Sequence, residues 1–510
     1  MRAVGTAVRI PAWSLALCVV FAAMVLVTSA SADTVLRVAF GAIPKNLDPN
    51  SDPSGQMMPI YRLVFEGLVR PDPSGKPVPV LAESLRVIND TTWQFRLRRG
   101  VRFHNGEPFN AEVVKWNIEW DQNPKNSVYA ARVKPIAAVE VVDEYTVNIK
   151  TKEPFASLPG NLMAILMLPP KHFQRVGRQG FSGDVVGTGP YRVTAFTPDT
   201  VVRMEANKQY WGKRSRITGF EFRMLPEAST RVAAVQAKEV DIAYDLPPES
   251  VDQLRAAGLK VMPVHIGQAL VFVLDQPTTT IEPLKNRLVR QAINYAVDKD
   301  AIITGLTGGM ARRLEGQLVG PDGFGYTDKV KAYPHDPGRA RALLKEAGYA
   351  TGFKVKMSGT NGRYPGDRAL SLAVAQYLRQ VGLDVDLSLL EANTWLDRYL
   401  NQKLDSIWII GLNYLPSMDH TYASTHFSYE SNRRFFRDDR FDELFRAQAT
   451  ALDVAKRQAA LEQLAAYTRE QAPVLFLHQI PLIVAVSSRV KEVTFQADYT
   501  MNLEHTTTTP

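Results

Sequence analysis

The sequence predicts an α/β protein whose two or three domains are interleaved along the chain. Its 510 residues are about three times a usual domain length. Strand-like and helix-like segments are mixed from end to end, which favours α/β lobes over a barrel or a bundle. No strong linker separates the segments, so we expect the chain to pass between domains more than once.

Strand-like segments are found in the first third of the chain. Apolar and polar residues alternate along Thr92–Arg98 and Tyr145–Ile149, as in strands that are buried on one face. A further strand is predicted at Asp33–Phe40, near the start of the chain.

Four segments have the pattern of helices. They are Ala111–Asp121, Ala228–Ala237, Arg287–Val297 and Pro337–Ala347. The last has the clearest ends, because Asp336 suits the N-cap, Pro337 suits the first helical position and Gly348 suits the C-terminal stop.

The N-terminus has the pattern of an export signal. Arg2 and Arg9 precede the apolar run Ile10–Val27, and small residues follow it up to Ala32. We therefore predict a secretory signal peptide over 1–32, cleaved before Asp33, and a periplasmic mature protein. An uncleaved membrane anchor and a lipoprotein are the alternatives.

The cysteine content and the distribution of charge exclude several functions for the mature chain. The only cysteine, Cys18, lies within the predicted signal, which leaves no thiol for a disulfide, a metal or catalysis. The net charge of +8 is scattered along the chain. A nucleic-acid partner is not expected, because it would require a clustered basic stripe.

Several segments, in order along the chain, resemble the family 5 extracellular solute-binding proteins of ABC transporters, which include oligopeptide-, dipeptide- and nickel-binding proteins. The resembling segments are Asn46–Pro49, Phe65–Val69, Leu81–Ser84, Arg98–Gly106, Gly187–Tyr191, Asn207–Gly212, Val289–Lys299 and Leu343–Tyr349.

The resemblance implies a two-lobed periplasmic binding protein fold of type II, with the ligand cleft between the lobes. Lobe I would comprise 33–52, 186–267 and 481–510, with an extra subdomain at 53–185. Lobe II would comprise 268–480. Two chain crossings, near Gly267 and Ile480, would form the hinge.

The resemblance also implies a function. Such a protein captures a small organic solute and delivers it to the permease and ATPase subunits of an importer at the inner membrane. The alternative is a binding protein that presents its ligand to a chemoreceptor or sensor. An enzyme is not expected, because the sequence has no Gly-x-Ser-x-Gly, no His-Glu-x-x-His and no cysteine beyond the signal. No cofactor is expected.

Four candidate ligand-binding residues lie in or beside loops. Arg363 and Tyr364, in a Gly/Pro-bounded loop, offer a guanidinium fork and a hydroxyl, unless Arg363 pairs with Asp367. Trp395 offers a stacking wall or ordinary packing. Asn46 offers a polar group or holds its own turn.

The segment Trp408–His420 supplies three more candidates. Asn413, Tyr414 and Asp419 are plausible hydrogen-bonding groups for a ligand.

The same segment bears on the class of ligand. Peptide-binding relatives carry an acid here, but this chain has Leu412 and Leu415 at those places and no acid between Asp405 and Asp419. A buried ammonium without a carboxylate partner is costly, which puts a peptide in doubt. Peptide-like, opine-like and glycoside-like solutes stay open.

His420 and His426 invite a metal interpretation because the family includes nickel-binding proteins. Two histidines without a third ligand are weak support for a metal site. We therefore predict surface histidines that flank a loop.

Overall fold

The computed structural model describes residues 34–51, 57–415 and 417–509. The predicted signal peptide at 1–32 and the cleavage point before Asp33 lie outside these ranges. Within them, no helix is long and apolar enough to span a membrane.

The strands are numbered in chain order. They are β1 (Val35–Phe40), β2 (Val69–Pro71), β3 (Pro77–Pro79), β4 (Ala82–Asn89), β5 (Thr92–Leu97), β6 (Ile136–Asp143), β7 (Thr146–Thr151), β8 (Tyr191–Thr197), β9 (Val201–Ala206), β10 (Gly219–Met224), β11 (Ile242–Ala243), β12 (Lys260–Val273), β13 (Arg312–Arg313), β14 (Lys354–Asn361), β15 (Asp384–Glu391), β16 (Ile407–Asn413), β17 (Val474–Val486), β18 (Val490–Lys491), β19 (Thr494–Phe495), β20 (Met501–Asn502) and β21 (Thr507–Thr508).

The α-helices are numbered in the same way. They are α1 (Met58–Val64), α2 (Ala111–Asp121), α3 (Ala130–Val133), α4 (Leu158–Leu162), α5 (Pro170–Phe181), α6 (Ala228–Gln236), α7 (Val251–Ala256), α8 (Glu282–Lys285), α9 (Arg287–Ala296), α10 (Lys299–Thr307), α11 (Pro337–Glu346), α12 (Asp367–Gln380), α13 (Ala392–Leu400), α14 (His420–Ser424), α15 (Asp439–Thr450) and α16 (Val454–Gln471).

The four predicted helices are confirmed as α2, α6, α9 and α11, with ends that differ by at most one residue. At α11, the Asp336 carboxylate accepts a hydrogen bond from the Arg339 amide (2.7 Å), as its N-cap position predicts.

The strand predictions are confirmed as well. β1 covers the described part of the first predicted strand, and β5 alternates as expected. In β5, Trp93, Phe95 and Leu97 are 5%, 0% and 1% exposed. The third segment forms β7, which begins one residue later than predicted and extends to Thr151.

A large mixed sheet passes through both lobes. Its strand order is β15-β14-β16-β12-β17-β11-β1-β10-β9-β8, and β13 pairs with β17. At one end, β1 is parallel to β10 and β11. At the other, β14 is parallel to β15 and β16. The sheet therefore has two regions of parallel strands, one in each lobe.

The long strands β12 and β17 connect these two regions. Lys260–His265 pairs with Pro481–Val486, which lies beside β11, whereas Ala269–Val273 pairs with both β16 and the first half of β17. The register shifts between His265 and Ala269. A bulge between two paired stretches lets strands bend, which supports the hinge proposed near Gly267 and Ile480.

The range predicted as the extra subdomain contains a separate antiparallel sheet of order β4-β5-β7-β6. Helix α2 contacts β6 and β7 of this sheet. The Asn110 side chain caps α2 by accepting a hydrogen bond from the Val113 amide (3.2 Å). The boundaries of the lobes and of the extra subdomain stay a prediction.

Candidate functional site

Parallel strands bring four of the candidate residues to one edge of lobe II. Arg363 and Tyr364 follow β14, Trp395 lies one turn after β15, and Asn413 ends β16. The carboxyl ends of parallel strands meet at the same edge of a sheet, where open α/β sheets bind ligands. We call this the lobe II edge.

Arg363, Tyr364 and Trp395 form one cluster at the lobe II edge. The Arg363 guanidinium lies 4.1 Å from the centre of the Trp395 ring. Its Nε donates to the Tyr364 hydroxyl (3.1 Å), which also accepts from the Gly411 amide (2.9 Å). These contacts fix the guanidinium in place, and its Nη groups form no hydrogen bond with any described residue.

Trp395 is the buried member of this cluster. Its side chain is 1% exposed and its ring stacks on Tyr399 at 5.1 Å. These contacts are those of a residue packed in the protein interior, which was the alternative to a stacking wall for the ligand. Direct contact of Trp395 with a ligand stays a prediction.

Asp367 holds the loop that carries Arg363. Its carboxylate accepts hydrogen bonds from the backbone amides of Gly362 (3.0 Å), Arg363 (2.8 Å) and Tyr364 (3.0 Å). Burial alone would raise the pKa of Asp367, but these donors and Thr360 outweigh it and lower the pKa. Asp367 therefore binds the backbone rather than the guanidinium. Among the described residues, no acid pairs with Arg363 within 4 Å.

Tyr414 is fully buried beside the hinge strands. Its hydroxyl accepts from Gln479 Nε2 (2.6 Å) and from the Gly320 amide (3.2 Å), and it donates to Asp322 (3.4 Å). The Tyr414 amide donates to the carbonyl of Gly267 (2.9 Å). The residue is thus engaged with the hinge, and its contact with ligand stays a prediction.

Asn413 and Asp419 are also engaged within the protein. The Asn413 amide oxygen accepts from the Leu415 amide (2.8 Å). The Asp419 side chain is 5% exposed, pairs with Arg457 (2.8 Å) and caps α14 through the Thr421 amide (2.9 Å). These bonds engage both side chains within the protein, and ligand contact by either residue stays a prediction.

Asn46 closes a turn in the loop after β1. Its side-chain oxygen accepts from the Asp48 amide (3.0 Å) and the Ser51 hydroxyl (2.7 Å). These are the bonds of the turn-holding alternative. Ligand contact by Asn46 stays a prediction.

The expectation of surface histidines is wrong for His420. Its side chain is fully buried, with Nδ1 3.0 Å from the Ser424 hydroxyl. His426 is partly buried and stacks on Phe435 at 5.2 Å. Burial lowers the pKa of both histidines to about 4. In the described part of the chain, no three His, Cys, Asp or Glu residues form a potential metal cluster.

Lobe I has a corresponding edge, which the sequence analysis missed. Strands β1 and β11 are parallel, and beyond them lies a small recess of about 10 Å³. Asp245 lies two residues after the end of β11 and is exposed at this recess. The recess is lined by Phe40, Ala42, Tyr244, Asp245, Leu482 and Tyr499. We call this the lobe I edge.

The turn at Asp245 is held in an unusual conformation. Its φ of 58° is rarely adopted by residues other than glycine, asparagine and aspartate. Arg231 fixes this turn by donating to the carbonyls of Tyr244 (2.9 Å) and Asp245 (2.6 Å). Loss of hydration raises the pKa of the Asp245 carboxyl, and the positive charge of Arg231 partly offsets this increase. An acid between a short buried strand and Pro247-Pro248 is the sequence signal that could have identified it.

Arg132, in the range predicted as the extra subdomain, contacts Leu415, Ser417 and Tyr422 in the range predicted as lobe II. Arg132 Nη2 donates to the Leu415 carbonyl (2.7 Å), and Nη1 donates to the Ser417 hydroxyl. The Arg132 guanidinium also lies 4.1 Å from the centre of the Tyr422 ring. These contacts join the range predicted as the extra subdomain to the range predicted as lobe II.

Comparison with known proteins agrees with this architecture. The family model described as "Bacterial extracellular solute-binding proteins, family 5 Middle" matches residues 76–433. The chain belongs to this family. As a family 5 solute-binding protein it has the two-lobed fold, serves an ABC importer and is not an enzyme. The family supports delivery of the ligand to an importer and lends no support to the sensor alternative.

Individual relatives span most of the chain. The glutathione-binding protein GsiB of Pectobacterium atrosepticum is 32% identical over 361 residues, which are 70% of this chain and 69% of the relative. The structure of HbpA2 from Haemophilus parasuis has a TM-score of 0.83 at 21% identity, covering 93% of this chain and 100% of that one. An ABC transporter substrate-binding protein from Sinorhizobium meliloti has a TM-score of 0.79 at 26% identity, with coverages of 93% and 100%.

Proposed function

We propose that this family 5 protein captures a zwitterionic, peptide-like solute, with glutathione as the first candidate. The observation that carries the proposal is a pair of opposite charges on the two edges. Asp245 lies at the lobe I edge and Arg363 at the lobe II edge. Neither side chain has an ion-pair partner within 4 Å among the described residues.

These two charges bear on the missing acid between Asp405 and Asp419, which put a peptide ligand in doubt. A ligand's ammonium group needs a carboxylate in a closed cleft, and Asp245 offers one from the opposite lobe. A ligand's carboxylate needs hydrogen-bond donors in a fork, which Arg363 offers. Leu412 and Leu415 therefore do not argue against a peptide-like solute.

The position of the charges also explains why such a ligand would close the protein. A ligand shifts the equilibrium only if it binds the closed form better than the open form. A zwitterion that touches Asp245 and Arg363 reaches both charges only when the lobes meet. Bending at the break between His265 and Ala269 would bring the two edges together.

Glutathione is the first candidate because its chemistry fits this pair of charges. It carries one ammonium group and two carboxylates. A relative that is 32% identical is named a glutathione-binding protein. We further propose that the mature protein acts in the periplasm and delivers its ligand to a dedicated permease, since the N-terminus has the pattern of an export signal.

Isothermal titration calorimetry on the chain from Asp33 onward tests this function. Reduced glutathione, dialanine, octopine and N-acetylglucosamine represent four ligand classes. We expect glutathione to bind with a Kd near 1 μM, or about −8 kcal/mol. Asp245→Asn and Arg363→Gln should each weaken binding by at least about tenfold, because each removes a charged hydrogen-bonding group.

Matched variants on the same lobes serve as controls. Asp252→Asn and Arg368→Gln make the same chemical changes at exposed positions outside the two edges. Asparagine tolerates the positive φ at position 245, so Asp245→Asn keeps the turn. The proposal is wrong if only the uncharged sugar binds, or if both edge variants change affinity by less than about twofold.

A further inference from the structure

A second cavity shares no lining residue with the lobe I edge, and none of Arg363, Tyr364, Trp395 or Asn413 lines it. Its volume is about 420 Å³, which is within the range of small-molecule sites. Its walls come from the ranges 59–70, 79–98, 190–215 and 496–504. None of the lining residues falls between 268 and 480, the range predicted as lobe II.

One wall of the cavity is aromatic and is held by Glu66. The Glu66 carboxylate accepts hydrogen bonds from the Tyr210 hydroxyl (2.7 Å), the Trp211 indole (2.9 Å) and the Thr188 hydroxyl (2.9 Å). The centres of the Tyr210 and Trp211 rings are 5.4 Å apart. Glu66 thus fixes the orientation of both rings and has its two oxygens occupied by protein donors.

The other two acids of the wall have cationic partners of their own. Asp498 lies 3.1 Å from Arg62 Nε, and Glu504 lies 2.7 Å from Lys213 Nζ. These two acids are therefore already neutralised by other residues.

Two guanidinium groups are left without an acid. Arg98 uses its Nε to donate to the Val80 carbonyl (2.5 Å), and it lies 5.1 Å from the centre of the Trp211 ring. The Arg70 side chain has no hydrogen bond and no ion pair within 4 Å among the described residues. The cavity therefore combines a fixed aromatic wall with two guanidinium groups that form no direct ion pair among the described residues. Arg70 still lies close enough to Glu66 and Glu504 to favour the charged form of both carboxyls.

We propose that this cavity is a second ligand site, which takes a small organic anion with a carboxylate or phosphate group and a planar body. The anionic group binds the N–H groups of Arg70 and Arg98. The planar body packs against Tyr210 and Trp211. This site is independent of the solute site proposed between the lobes.

Calorimetry on the chain from Asp33 onward, with phenyl phosphate and benzoate as probes, tests the proposal. Benzyl alcohol is the matched uncharged probe. We expect both anions to bind and benzyl alcohol to bind at least about tenfold more weakly, because it lacks the charge that pairs with the guanidinium groups. Arg70→Gln with Arg98→Gln should weaken binding of both anions by at least about tenfold.

Control variants separate this site from the cleft and from general charge effects. Arg214→Gln removes an exposed cation beside the cavity that does not line it, and it should leave anion affinity unchanged. Asp245→Asn should also leave anion affinity unchanged, and saturating glutathione should not displace phenyl phosphate. The single variant Arg70→Gln changes an exposed position and keeps the hydrogen bond between Arg98 and Val80. A loss of anion affinity in this variant can therefore be separated from a loss caused by misfolding.

Three results would overturn the proposal. The first is that neither anion binds. The second is that benzyl alcohol binds as well as the anions. The third is that affinity survives the Arg70 and Arg98 changes, or is lost with Asp245→Asn, which would place the anion elsewhere.

Discussion

At the scale of single residues, Glu66 gives the protein a specific dependence of stability on pH. Burial raises the pKa of Glu66 from 4.5 to about 6, although hydrogen bonds from Tyr210, Trp211 and Thr188 oppose the shift. The folded protein therefore binds this proton more tightly than the unfolded chain does. The resulting stabilisation is fully present below pH 4.5 and is lost as the pH rises through about 6.

The predicted size of this effect is about 2 kcal/mol, from a shift of about 1.5 pKa units at about 1.4 kcal/mol each. We expect the free energy of unfolding of the native protein, relative to Glu66→Gln, to fall by this amount from a pH well below 4.5 to a pH well above 6, with the steepest fall between these two values. Urea unfolding across this range measures it. Glu83→Gln, at an exposed position, is the control, and a flat difference for Glu66→Gln would contradict the prediction.

A second prediction concerns Gly411, which lies between two side chains of lobe II. A Cβ at this position would lie 2.8 Å from Gln268 Nε2 and 3.0 Å from Tyr364 Cε1. The Gln268 amide is the flexible end of its side chain, but the Tyr364 ring is held by the Gly411 amide. We expect Gly411→Ala to displace Tyr364, to cost about 1 kcal/mol of stability and to weaken ligand binding through Arg363.

Gly305→Ala is the matched control for Gly411→Ala. Gly305 is an exposed position within α10, and a Cβ there meets no atom within 4 Å. Alanine at this position should raise stability by about 0.5–1 kcal/mol. Urea unfolding and calorimetry with glutathione report both effects. Equal results for the two variants would show that the space around Gly411 does not matter.

The residues of the lobe II edge were predictable in part. The Gly/Pro-bounded loop with Arg363 and Tyr364 pointed to a binding edge. Asp245 was missed because its role depends on β1 and β11 lying side by side, although they are about 200 residues apart in sequence. The burial of Tyr414 and His420 was missed for the same reason, since their neighbours come from distant segments.

At the scale of elements, helix α11 owes its start to a local signal. The Asp336 carboxylate accepts from the Arg339 amide (2.7 Å), and Pro337 occupies the first helical position. Asp336→Ala should cost about 1 kcal/mol, because the cap bond is lost, whereas Asp336→Asn should cost much less. Thermal or urea unfolding of both variants checks this. Equal losses would mean that capping does not explain the effect.

The elements that the sequence predicted best are those with such local signals. The bounds of α2, α6, α9 and α11 differ from the predicted bounds by at most one residue. Each of these helices is specified within a short stretch of sequence, by the spacing of its apolar residues or by a capping residue. The order of strands in the large sheet depends on pairing between distant segments, and it was not predicted from the sequence.

At the scale of the whole molecule, Arg132 connects the range predicted as the extra subdomain to the range predicted as lobe II. It donates to the Leu415 carbonyl and the Ser417 hydroxyl, and its own side chain is buried. Opening the lobes would break these contacts. We therefore expect Arg132→Ala to favour the open form and to weaken glutathione binding by about tenfold, since binding must then do more to close the lobes.

Calorimetry and small-angle X-ray scattering together test this prediction. The radius of gyration of Arg132→Ala with glutathione should exceed that of the native complex at subsaturating ligand. Lys134→Ala, two residues along at an exposed position, is the control. Unchanged affinity and an unchanged radius would show that closure does not depend on Arg132.

The antiparallel pairing of β12 with β17 has a consequence for how such proteins diversify. Val273 and Val474 face each other in this ladder, so the chain leaves and re-enters the ladder at adjacent points. The segment 274–473 is therefore a continuous insertion whose two ends join the rest of the chain at neighbouring positions, which we call the junctions. It carries Arg363, Tyr364 and Trp395, while Asp245 stays on the other side. Recombination at these junctions would exchange the guanidinium proposed to bind one end of a solute and leave the carboxylate proposed to bind the other end unchanged.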